Sequence, residues 1–296
     1  MLELNNLKSN SVIVIAGPTA SGKSALALEM AKYYDGEIVN ADSMQIYAGT
    51  PIISAAPAKE EKQIVPHHLY EIYPPSKNGT VVEWLKLAEK TIRDIWARGK
   101  LPIVTGGTGM YIDNLINGTT PIPEPAVEIR QKVMVMPDVW KWLTQNDEQA
   151  AQMLNSADTT RVRRAAEIFL QTGKSIAEWY KVPMVKHLPE AEFRVIKLIP
   201  SAAELDQRCY LRFDKMIEAG ALDEVRQLAQ LNLPKNLPTM KMLGVPELMA
   251  YLHGENSLET AVKLAKLHTR QYAKRQKTWF KNKLPAEIEL NECFKG

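Results

Sequence analysis

Residues 12–24 read Val-Ile-Val-Ile-Ala-Gly-Pro-Thr-Ala-Ser-Gly-Lys-Ser. The first five form a continuous apolar run rich in β-branched side chains, which is typical of a strand that helices bury on both faces. A glycine-containing turn follows, and a helical pattern then runs from Lys23 to Tyr34. This strand, loop and helix unit predicts an α/β fold built on a parallel sheet.

Further strand and helix signals continue the same alternation. Residues 37–41 and 101–104 are predicted strands, and residues 84–98 between them are a predicted helix that Gly99 ends. The second of these strands runs into Thr-Gly-Gly-Thr-Gly at 105–109. Glycine loops at strand ends are where α/β folds place their ligands, so the sequence predicts a core of the nucleotide-binding type.

The middle of the chain has a different character. Four prolines break it into short helical pieces: Pro121, Pro123, Pro125 and Pro137. We therefore expect residues 121–189 to form a mostly helical inserted subdomain, and residues 1–120 and 190–296 to form the α/β core.

The core pattern resumes after the insertion. Residues 194–199 are a predicted strand, and Ser201-Ala-Ala-Glu204 has the spacing of a capping box. The helix that this box opens carries Arg208 and Arg212 one turn apart on one face. After Pro238 the chain is predicted to be helical to about Lys283, which makes the C-terminal region helical.

Composition excludes several classes of protein. The chain has 296 residues, a net charge of +3 and only two cysteines, Cys209 and Cys293. A disulfide framework and a cysteine-rich metal site are therefore excluded, and a reducing compartment is favoured. Without a signal-peptide pattern or an apolar run of membrane-spanning length, we expect a soluble, cytoplasmic protein with no membrane partner.

The glycine-containing turn matches the pattern G-x-x-x-x-G-K-[ST] of a phosphate-binding P-loop. In such a loop, backbone N–H groups converge on a diphosphate, while a lysine and a hydroxyl-bound Mg²⁺ neutralise its charge. The motif predicts a P-loop NTPase-like core, with Mg²⁺ as cofactor and Ser24 as a metal ligand. The predicted diphosphate or nucleotide site comprises Gly17, Pro18, Thr19, Ala20, Ser21, Gly22, Lys23 and Ser24.

An NTPase normally adds an aspartate at the end of a buried strand to complete its Mg²⁺ site. Residues 101–104 end instead in Thr105-Gly106, and the acid at a core strand terminus is Asp42. Asp42 could serve a metal, act as a base or cap a helix. Since a hydrolytic signature is missing, the loop is better suited to hold a substrate's diphosphate than to power a switch.

A row of cations lies on one side of the predicted C-terminal helix. At 100° per residue they form one narrow stripe, which we call the basic stripe: Lys263, Lys266, Arg270, Lys274, Lys277 and Lys281. The opposite side carries Leu258, Ala261, Ala265, Tyr272 and Trp279. Residues 257–283 contain eight Lys or Arg and one acid, which suits either a phosphate backbone or a solvated helix face.

Other conspicuous residues are weaker signals. Residues 161–164 contain three arginines that could add contacts to RNA. The adjacent His67 and His68 diverge too much to bind one metal, so we assign them a structural role. The tryptophans are spaced as core residues, with the exception that Trp279 could contact a base.

Six segments together resemble the tRNA dimethylallyltransferase, or IPP transferase, family. They lie in the family's order between about Ser11 and Lys283: residues 17–24, Asn-Ala-Asp-Ser-Met-Gln-Ile-Tyr at 40–47, Pro-His-His-Leu at 66–69, Gly-Gly-Thr-Gly-Met-Tyr at 106–111, Arg-Arg-Ala-Ala-Glu at 163–167 and Thr-Arg-Gln-Tyr-Ala-Lys-Arg-Gln-Lys-Thr-Trp at 269–279. The resemblance implies a core similar to P-loop kinases and a helical insertion that grips the anticodon stem. It implies transfer of a dimethylallyl group from dimethylallyl diphosphate to the exocyclic amine of adenosine 37 in tRNA, with release of diphosphate.

The resemblance also implies roles for individual residues. Lys23 would bind the diphosphate, Asp42 would act on the adenine amine, and Thr108 and Arg212 would flank the diphosphate. The implied tRNA contacts are Asp42, Ser43, Met44, Gln45, Thr108, Arg130, the segment Thr160, Arg161, Val162, Arg163 and Arg164, and the segment from Lys241 through Gly244 to Glu247. We expect a monomer whose partners are tRNA and dimethylallyl diphosphate.

The sequence departs from the family pattern at two places, and two other functions compete. Ala56 stands where the family commonly has a cation, and Val245-Pro246 replaces an aromatic and basic pair. A small-molecule P-loop kinase would use residues 161–164 as a lid but would leave the basic stripe unexplained. A nonenzymatic RNA-binding module would have no need of an intact Lys23, Ser24 and Asp42.

Overall fold

The computed structural model describes residues 3–294, which contain a six-stranded sheet. Every neighbouring pair of strands is parallel, and their spatial order is β3-β2-β4-β1-β5-β6. The strands are β1 (Ser11–Ala16), β2 (Gly36–Asn40), β3 (His67–His68), β4 (Leu101–Gly106), β5 (Glu192–Leu198) and β6 (Ile288–Leu290). The predicted α/β fold on a parallel sheet is confirmed.

Helices connect the strands and make up most of the remaining chain. Those of the first half are α1 (Lys23–Tyr33), α2 (Pro51–Ser54), α3 (Lys59–Ile64), α4 (Val81–Ala97), α5 (Gly109–Asn117), α6 (Val127–Met134) and α7 (Val139–Asn146). Those of the second half are α8 (Glu148–Met153), α9 (Thr159–Thr172), α10 (Ile176–Trp179), α11 (Ala202–Glu218), α12 (Ala221–Gln230), α13 (Val245–Leu252) and α14 (Leu258–Lys283), with a 3-10 turn at Thr239–Lys241.

Successive side chains of β1 point into two separate cores. Val12 and Val14 pack in a cluster with Trp84 of α4 and Phe280 of α14. Ile13 and Ile15 pack on the other side with α1. Because side chains alternate across a strand, β1 is buried on both faces, and this explains the unbroken apolar run in the sequence.

Strand register brings the chemically important loops to one edge of the sheet. Ala16 pairs with Gly106, and Asn40 pairs with Thr105. The loops that follow β1, β2 and β4 therefore leave the carboxyl edge side by side. This edge is where open α/β sheets bind ligands.

The two outer strands are not evident from the sequence. β3 has two residues and β6 has three, and each is defined by its pairing with a neighbouring strand. Such short segments carry too little periodicity to identify a strand. Residues 288–290, which show no clear sequence pattern, thus extend the sheet next to β5.

The C-terminal helices form a third core. Helices α11, α12, α13 and the first half of α14 pack around Phe213, Val225 and Leu248. Ser201 caps α11 by accepting a hydrogen bond from the Glu204 N–H at 3.2 Å, as its spacing predicts. The Glu204 carboxylate accepts the Cys293 N–H at 3.0 Å, which ties the end of the chain to α11.

The chain divides into two compact units. One is Asn117–Lys186, which contains α6 to α10 and has its own apolar core around Leu143 and Ala166. The other comprises the chain up to Ile116 and from His187 onward, and it contains the sheet. Within residues 3–294, no helix combines the length and the hydropathy needed to cross a bilayer.

Candidate active site

The P-loop connects β1 to α1 and wraps around the start of that helix. Gly22 has φ of +89°, in the left-handed region that favours glycine. A Cβ on Gly17 would lie 2.8 Å from the Leu198 carbonyl oxygen at the end of β5, so any larger residue at position 17 would clash with that strand. The two motif glycines are therefore required by the backbone, and Lys23 becomes the first residue of α1.

A cavity of about 420 Å³ opens over the P-loop. Four cationic side chains line it, namely Lys23, Arg208, Arg212 and Lys215, together with Asp42 and apolar groups that include Ile38, Tyr70 and Leu211. The cavity thus combines a strongly positive region with an apolar one, which suits an anionic ligand that carries a hydrocarbon group.

Arg212 reaches the P-loop from α11. Its Nη2 donates a hydrogen bond to the Thr19 Oγ1, which fixes the guanidinium beside the loop. Removal from water within the cavity lowers the pKa of Arg212. The same effect, reinforced by the Arg212 charge and opposed by Asp42, lowers the pKa of Lys23 to about 8. Two cations that line the same cavity favour binding of a dianionic group there.

Asp42 follows β2 and lines the same cavity. Its Oδ1 accepts the Met44 N–H at 2.9 Å, so the side chain closes a turn and does not cap a helix. The Asn40 side chain forms two hydrogen bonds with the Asp42 backbone. Its Oδ1 accepts the Asp42 N–H at 2.8 Å, and its Nδ2 donates to the Asp42 carbonyl at 3.0 Å. The carboxylate is therefore rigidly placed, with Oδ2 directed towards Gly107.

Thr108 and Ser43 form a second contact across this edge. The Thr108 Oγ1 accepts the Ser43 N–H at 2.9 Å and donates to the Ser43 Oγ at 3.1 Å. Thr108 therefore supports the turn that carries Asp42. It is not among the residues that line the cavity.

Gln45 and Met44 have structural contacts of their own. The Gln45 Nε2 donates to the Ser54 and Ala55 carbonyls at 3.1 and 2.6 Å, which anchors the segment after α2. Met44 is half-buried against the C-terminal helical core. Ala56, which stands in place of the family's cation, packs against the sheet.

Sequence reasoning missed two of the cavity cations as site residues. Arg208 was recognised only as a helix neighbour of Arg212, and Lys215 was not singled out. Their spacing at positions 208, 212 and 215 places all three on one face of α11, and this helical spacing was the available signal.

The residues predicted to bind tRNA in the insertion have varied surroundings. Arg130, Arg161 and Arg164 pair with Glu124, Asp158 and Glu167 at 2.7, 3.1 and 3.5 Å respectively. Thr160 and Arg163 are exposed on α9. The inclusion of Val162 was wrong, because its side chain is 3% exposed and packs in the core of this unit, where it cannot contact RNA.

Gly244 is a second correction. It is buried with φ of +90° at the start of α13, and a Cβ there would lie 2.8 Å from the Phe213 ring. Its role is to let helices pack closely, and it offers no surface to RNA. Lys241 is exposed in the preceding turn, whereas Glu247 contacts the His268 Nδ1 and is largely buried.

The basic stripe is not uniformly free. Lys266 pairs with Asp214 at 2.5 Å, and Arg270 pairs with Asp206 at 2.8 Å, both on α11. In the part of the chain that the structure describes, Lys274, Lys277 and Lys281 form no ion pair. The sequence places no acid within the stripe itself, but neighbouring α11 supplies acids to its middle.

The adjacent histidines and Trp279 have contacts within the protein, and His67 also lines the cavity over the P-loop. His68 binds the Glu37 carboxylate at 2.6 Å, and His67 binds the Val65 carbonyl at 2.9 Å. No cluster of three or more His, Cys, Asp or Glu side chains that could hold a metal exists among residues 3–294. Trp279 is half-buried, and its ring packs on Gly109. Both cysteines are free and buried.

Comparison with known proteins identifies a consistent set of relatives. The family model described as IPP transferase matches residues 45–283. The tRNA dimethylallyltransferase of Rickettsia massiliae is 42% identical over 292 residues, covering 97% of this chain and 80% of that protein.

Solved structures agree with this result. A eukaryotic dimethylallyltransferase, crystallised acting on tRNA, has a TM-score of 0.80 and 31% identity, covering 92% of this chain and 70% of that one. The tRNA isopentenylpyrophosphate transferase of Bacillus halodurans has a TM-score of 0.69 and 31% identity, with 95% and 90% of the two chains covered.

Proposed function

The chain belongs to the IPP transferase family, and we propose that it transfers a dimethylallyl group from dimethylallyl diphosphate to the exocyclic amine of adenosine 37 in tRNA. The observation that carries this proposal is the cavity that places Asp42 with the P-loop cations. One ligand with an anionic and an apolar end would occupy it. The small-molecule kinase alternative finds no support among the relatives.

The diphosphate would bind at the cationic region of the cavity. Lys23 and Arg212 would compensate its charge, and the P-loop N–H groups would bind its oxygens. An allylic diphosphate ionises readily when its leaving group is stabilised, so these cations would lower the barrier to breaking the carbon–oxygen bond. No covalent enzyme intermediate is required.

Mg²⁺ fits the residues at this site as an ion held mainly by the diphosphate. Ser24 lines the cavity beside Lys23, while the described residues form no protein-only cluster of metal ligands. We propose that the Ser24 hydroxyl is the protein ligand. When bound, Mg²⁺ would neutralise negative charge on the departing diphosphate.

Asp42 is proposed as the general base. The amine nitrogen of the adenine would form a bond to the allylic carbon as the bond from that carbon to diphosphate breaks, and the nitrogen's proton would pass to the Asp42 carboxylate. The Asn40 and Met44 hydrogen bonds hold this carboxylate in place. To bring its exocyclic amine to Asp42 inside the cavity, the adenine would leave its stack.

The free cations of α14 are proposed as part of the tRNA interface. Lys274, Lys277 and Lys281 are the members of the basic stripe's C-terminal half, and none of them forms an ion pair within residues 3–294. Exposed Arg163 and Lys241 are proposed to add contacts. Unneutralised lysines bind phosphates without reading sequence, so this surface would supply general affinity for RNA.

We further propose that the protein acts as a monomer in the cytoplasm. Both of its cysteines are free thiols, which is typical of a reducing compartment.

One experiment tests the proposed reaction against its rivals. The protein is incubated with unmodified tRNA and either labelled dimethylallyl diphosphate or labelled ATP. Transfer of the prenyl label to tRNA supports the proposal, phosphoryl transfer would support a kinase, and tRNA retention without transfer would support an RNA-binding module. Lys23→Ala should lose transfer but retain tRNA affinity, whereas Lys32→Ala, on the exposed side of the same helix, should retain both.

A further inference from the structure

Gln276 lies on the inner side of α14, and its side-chain amide joins two loops of the active site. The residue is 7% exposed. Its Oε1 accepts the Thr19 N–H of the P-loop at 2.8 Å, and its Nε2 donates to the Gly107 carbonyl at 2.7 Å. The amide orientation follows from its partners, because an N–H needs an acceptor and a carbonyl needs a donor.

Each of the two loops carries part of the proposed machinery. Thr19 binds Arg212 through its hydroxyl, so the P-loop contact is linked to a diphosphate-binding cation. On the other side, Gly107 faces the Asp42 carboxylate, and a Cβ at Gly107 would lie 3.2 Å from the Asp42 Oδ2. Gln276 therefore connects the P-loop with the Gly107 loop, which lies beside the proposed base Asp42.

The fit around Gln276 is tight on the Gly107 side. A Cβ at Gly107 would lie 2.5 Å from the Gln276 Nε2, a distance that real contacts do not reach. The absence of a side chain at this position is what allows the amide to reach the Gly107 carbonyl. The Thr19 N–H and Gly107 carbonyl are both bound by this one amide, so its removal would leave two loop groups without these partners.

We propose that Gln276 is a positioning residue that sets the distance between the diphosphate-binding cations and Asp42. This inference rests on the proposed prenyl transfer. Its consequence is kinetic: removing the amide displaces the leaving group relative to the base, which slows transfer more than it weakens either substrate's binding. Phosphate contacts from α14 belong to the opposite, outer side of the helix.

The decisive variant is Gln276→Glu, because its protonation state controls the two contacts. A protonated carboxyl can accept from the Thr19 N–H and donate to the Gly107 carbonyl, whereas a carboxylate can only accept. The nearby titratable groups are Asp42 and Tyr272, with Lys23 and Arg212 at the P-loop. The pKa of Tyr272 is raised to about 12 by burial and by Asp42, so its hydroxyl stays neutral over the tested range.

We expect Gln276→Glu to reduce kcat about tenfold or more at pH 8, with KM for both substrates changing less than threefold. As pH is lowered towards 6, the ratio of variant to parent kcat should rise several-fold, because removal from water at this buried position raises the pKa of the new carboxyl and favours its protonated form. Gln271→Glu, an exposed position on the same helix, should show the parent's pH profile and kcat.

Gln276→Met provides a second readout that does not depend on protonation. It removes both hydrogen bonds at similar volume, so its kcat should be reduced at every pH, with a constant ratio to the parent. Thermal unfolding measured in parallel identifies a variant that fails to fold, in which case the remaining variant decides.

The proposal is overturned if Gln276→Glu retains the parent kcat at pH 8, or if Gln276→Met retains parent kcat while only its melting temperature falls. The parent enzyme's transfer of labelled dimethylallyl to tRNA is measured first. Failure at that step contradicts the proposed function, whereas failure of the variants contradicts the role of Gln276 alone.

Discussion

Lys23 is a cation whose charge state controls how the P-loop receives an anion. Because its pKa is lowered to about 8, mainly by removal from water, part of the population is neutral in weakly alkaline solution. An incoming diphosphate favours the charged form and so must drive proton uptake above that pH. Folding has the opposite pH dependence: the unfavourable buried charge is fully present below pH 8 and is relieved as pH rises towards 10.5, so this group makes the fold more stable as pH rises.

We predict that the affinity for inorganic diphosphate falls as pH rises from 8 to 9, by up to about tenfold per pH unit. Titration calorimetry at several pH values measures this slope. Lys23→Arg keeps its charge over the whole range and should show a shallower dependence. Equal slopes in parent and variant would assign the pH dependence to another group.

The Asp42 carboxylate has one oxygen committed to the Met44 N–H, which allows a clean test of its chemistry. Asp42→Asn can still accept that hydrogen bond through its amide oxygen, so the turn should be preserved. We predict that transfer slows by about 10²-fold or more, with tRNA and donor affinities close to those of the parent. Single-turnover transfer and separate binding measurements test this, and a variant within a few-fold of the parent rate would remove Asp42 from the role of base.

Helix α14 serves two purposes on different sides. Its buried side contributes Ala265, Ala273 and Phe280 to the protein core, while the basic stripe lies mostly outside. Within the stripe, the pairs that Lys266 and Arg270 form with α11 join two helices. Replacing these two residues should therefore slightly weaken helix packing, which the sequence pattern by itself did not indicate.

We predict that replacing Lys274, Lys277 and Lys281 by Gln weakens cognate and noncognate tRNA binding alike. Log affinity falls as log salt rises, and the magnitude of this slope should become smaller by somewhat less than one for each phosphate that these lysines no longer bind. The matched control, Lys266 and Arg270 to Gln, should affect tRNA affinity less and the melting temperature more. If both sets weaken tRNA binding equally, the α11 acids do not neutralise the middle of the stripe.

At the scale of the whole molecule, the last described residues of the chain contact the P-loop, which lies close to the N-terminus in the sequence. The Phe294 N–H donates to the Ser21 carbonyl at 3.0 Å, and Arg208 donates to the Phe294 carbonyl at 3.3 Å. A side chain at Gly22 would collide with Phe294. Residues 291–294 thus form a strap across the P-loop, anchored by β6 and by the contact between Glu204 and Cys293.

We predict that ending the chain after Leu290 lowers donor affinity about fivefold, an effect comparable to removing one hydrogen bond. The Ser21 carbonyl would no longer accept the Phe294 N–H, and Arg208 would have no carbonyl partner at this position. Removing only Gly296 is the control, because it keeps the Phe294 carbonyl as a peptide carbonyl, and it should leave donor affinity unchanged. Parent-like affinity of the longer deletion would show that the P-loop holds its shape without the strap.

Local patterns in the sequence were sufficient for the P-loop, the parallel sheet and the placement of Asp42. These features depend on interactions over short stretches: alternation along a strand, helix capping, and backbone angles that favour glycine at Gly22. The resemblance of the chain's motifs to a family added the reaction, and the relatives support it. The tRNA contacts that the resemblance implied for Val162 and Gly244 disagree with their burial, which depends on the helices packed against them.

Tertiary structure alone decided which polar side chains form hydrogen bonds or ion pairs within the protein and which remain exposed without a partner. Gln276 is hydrogen-bonded to Thr19, which is 257 positions away in the sequence. Arg270 of α14 forms an ion pair with Asp206 of α11. Helical periodicity states only which side a residue faces, whereas its partner depends on how distant segments pack. For that reason the basic stripe was visible in the sequence, but its neutralised middle, the amide link between the two active-site loops and the strap over the P-loop required the folded chain.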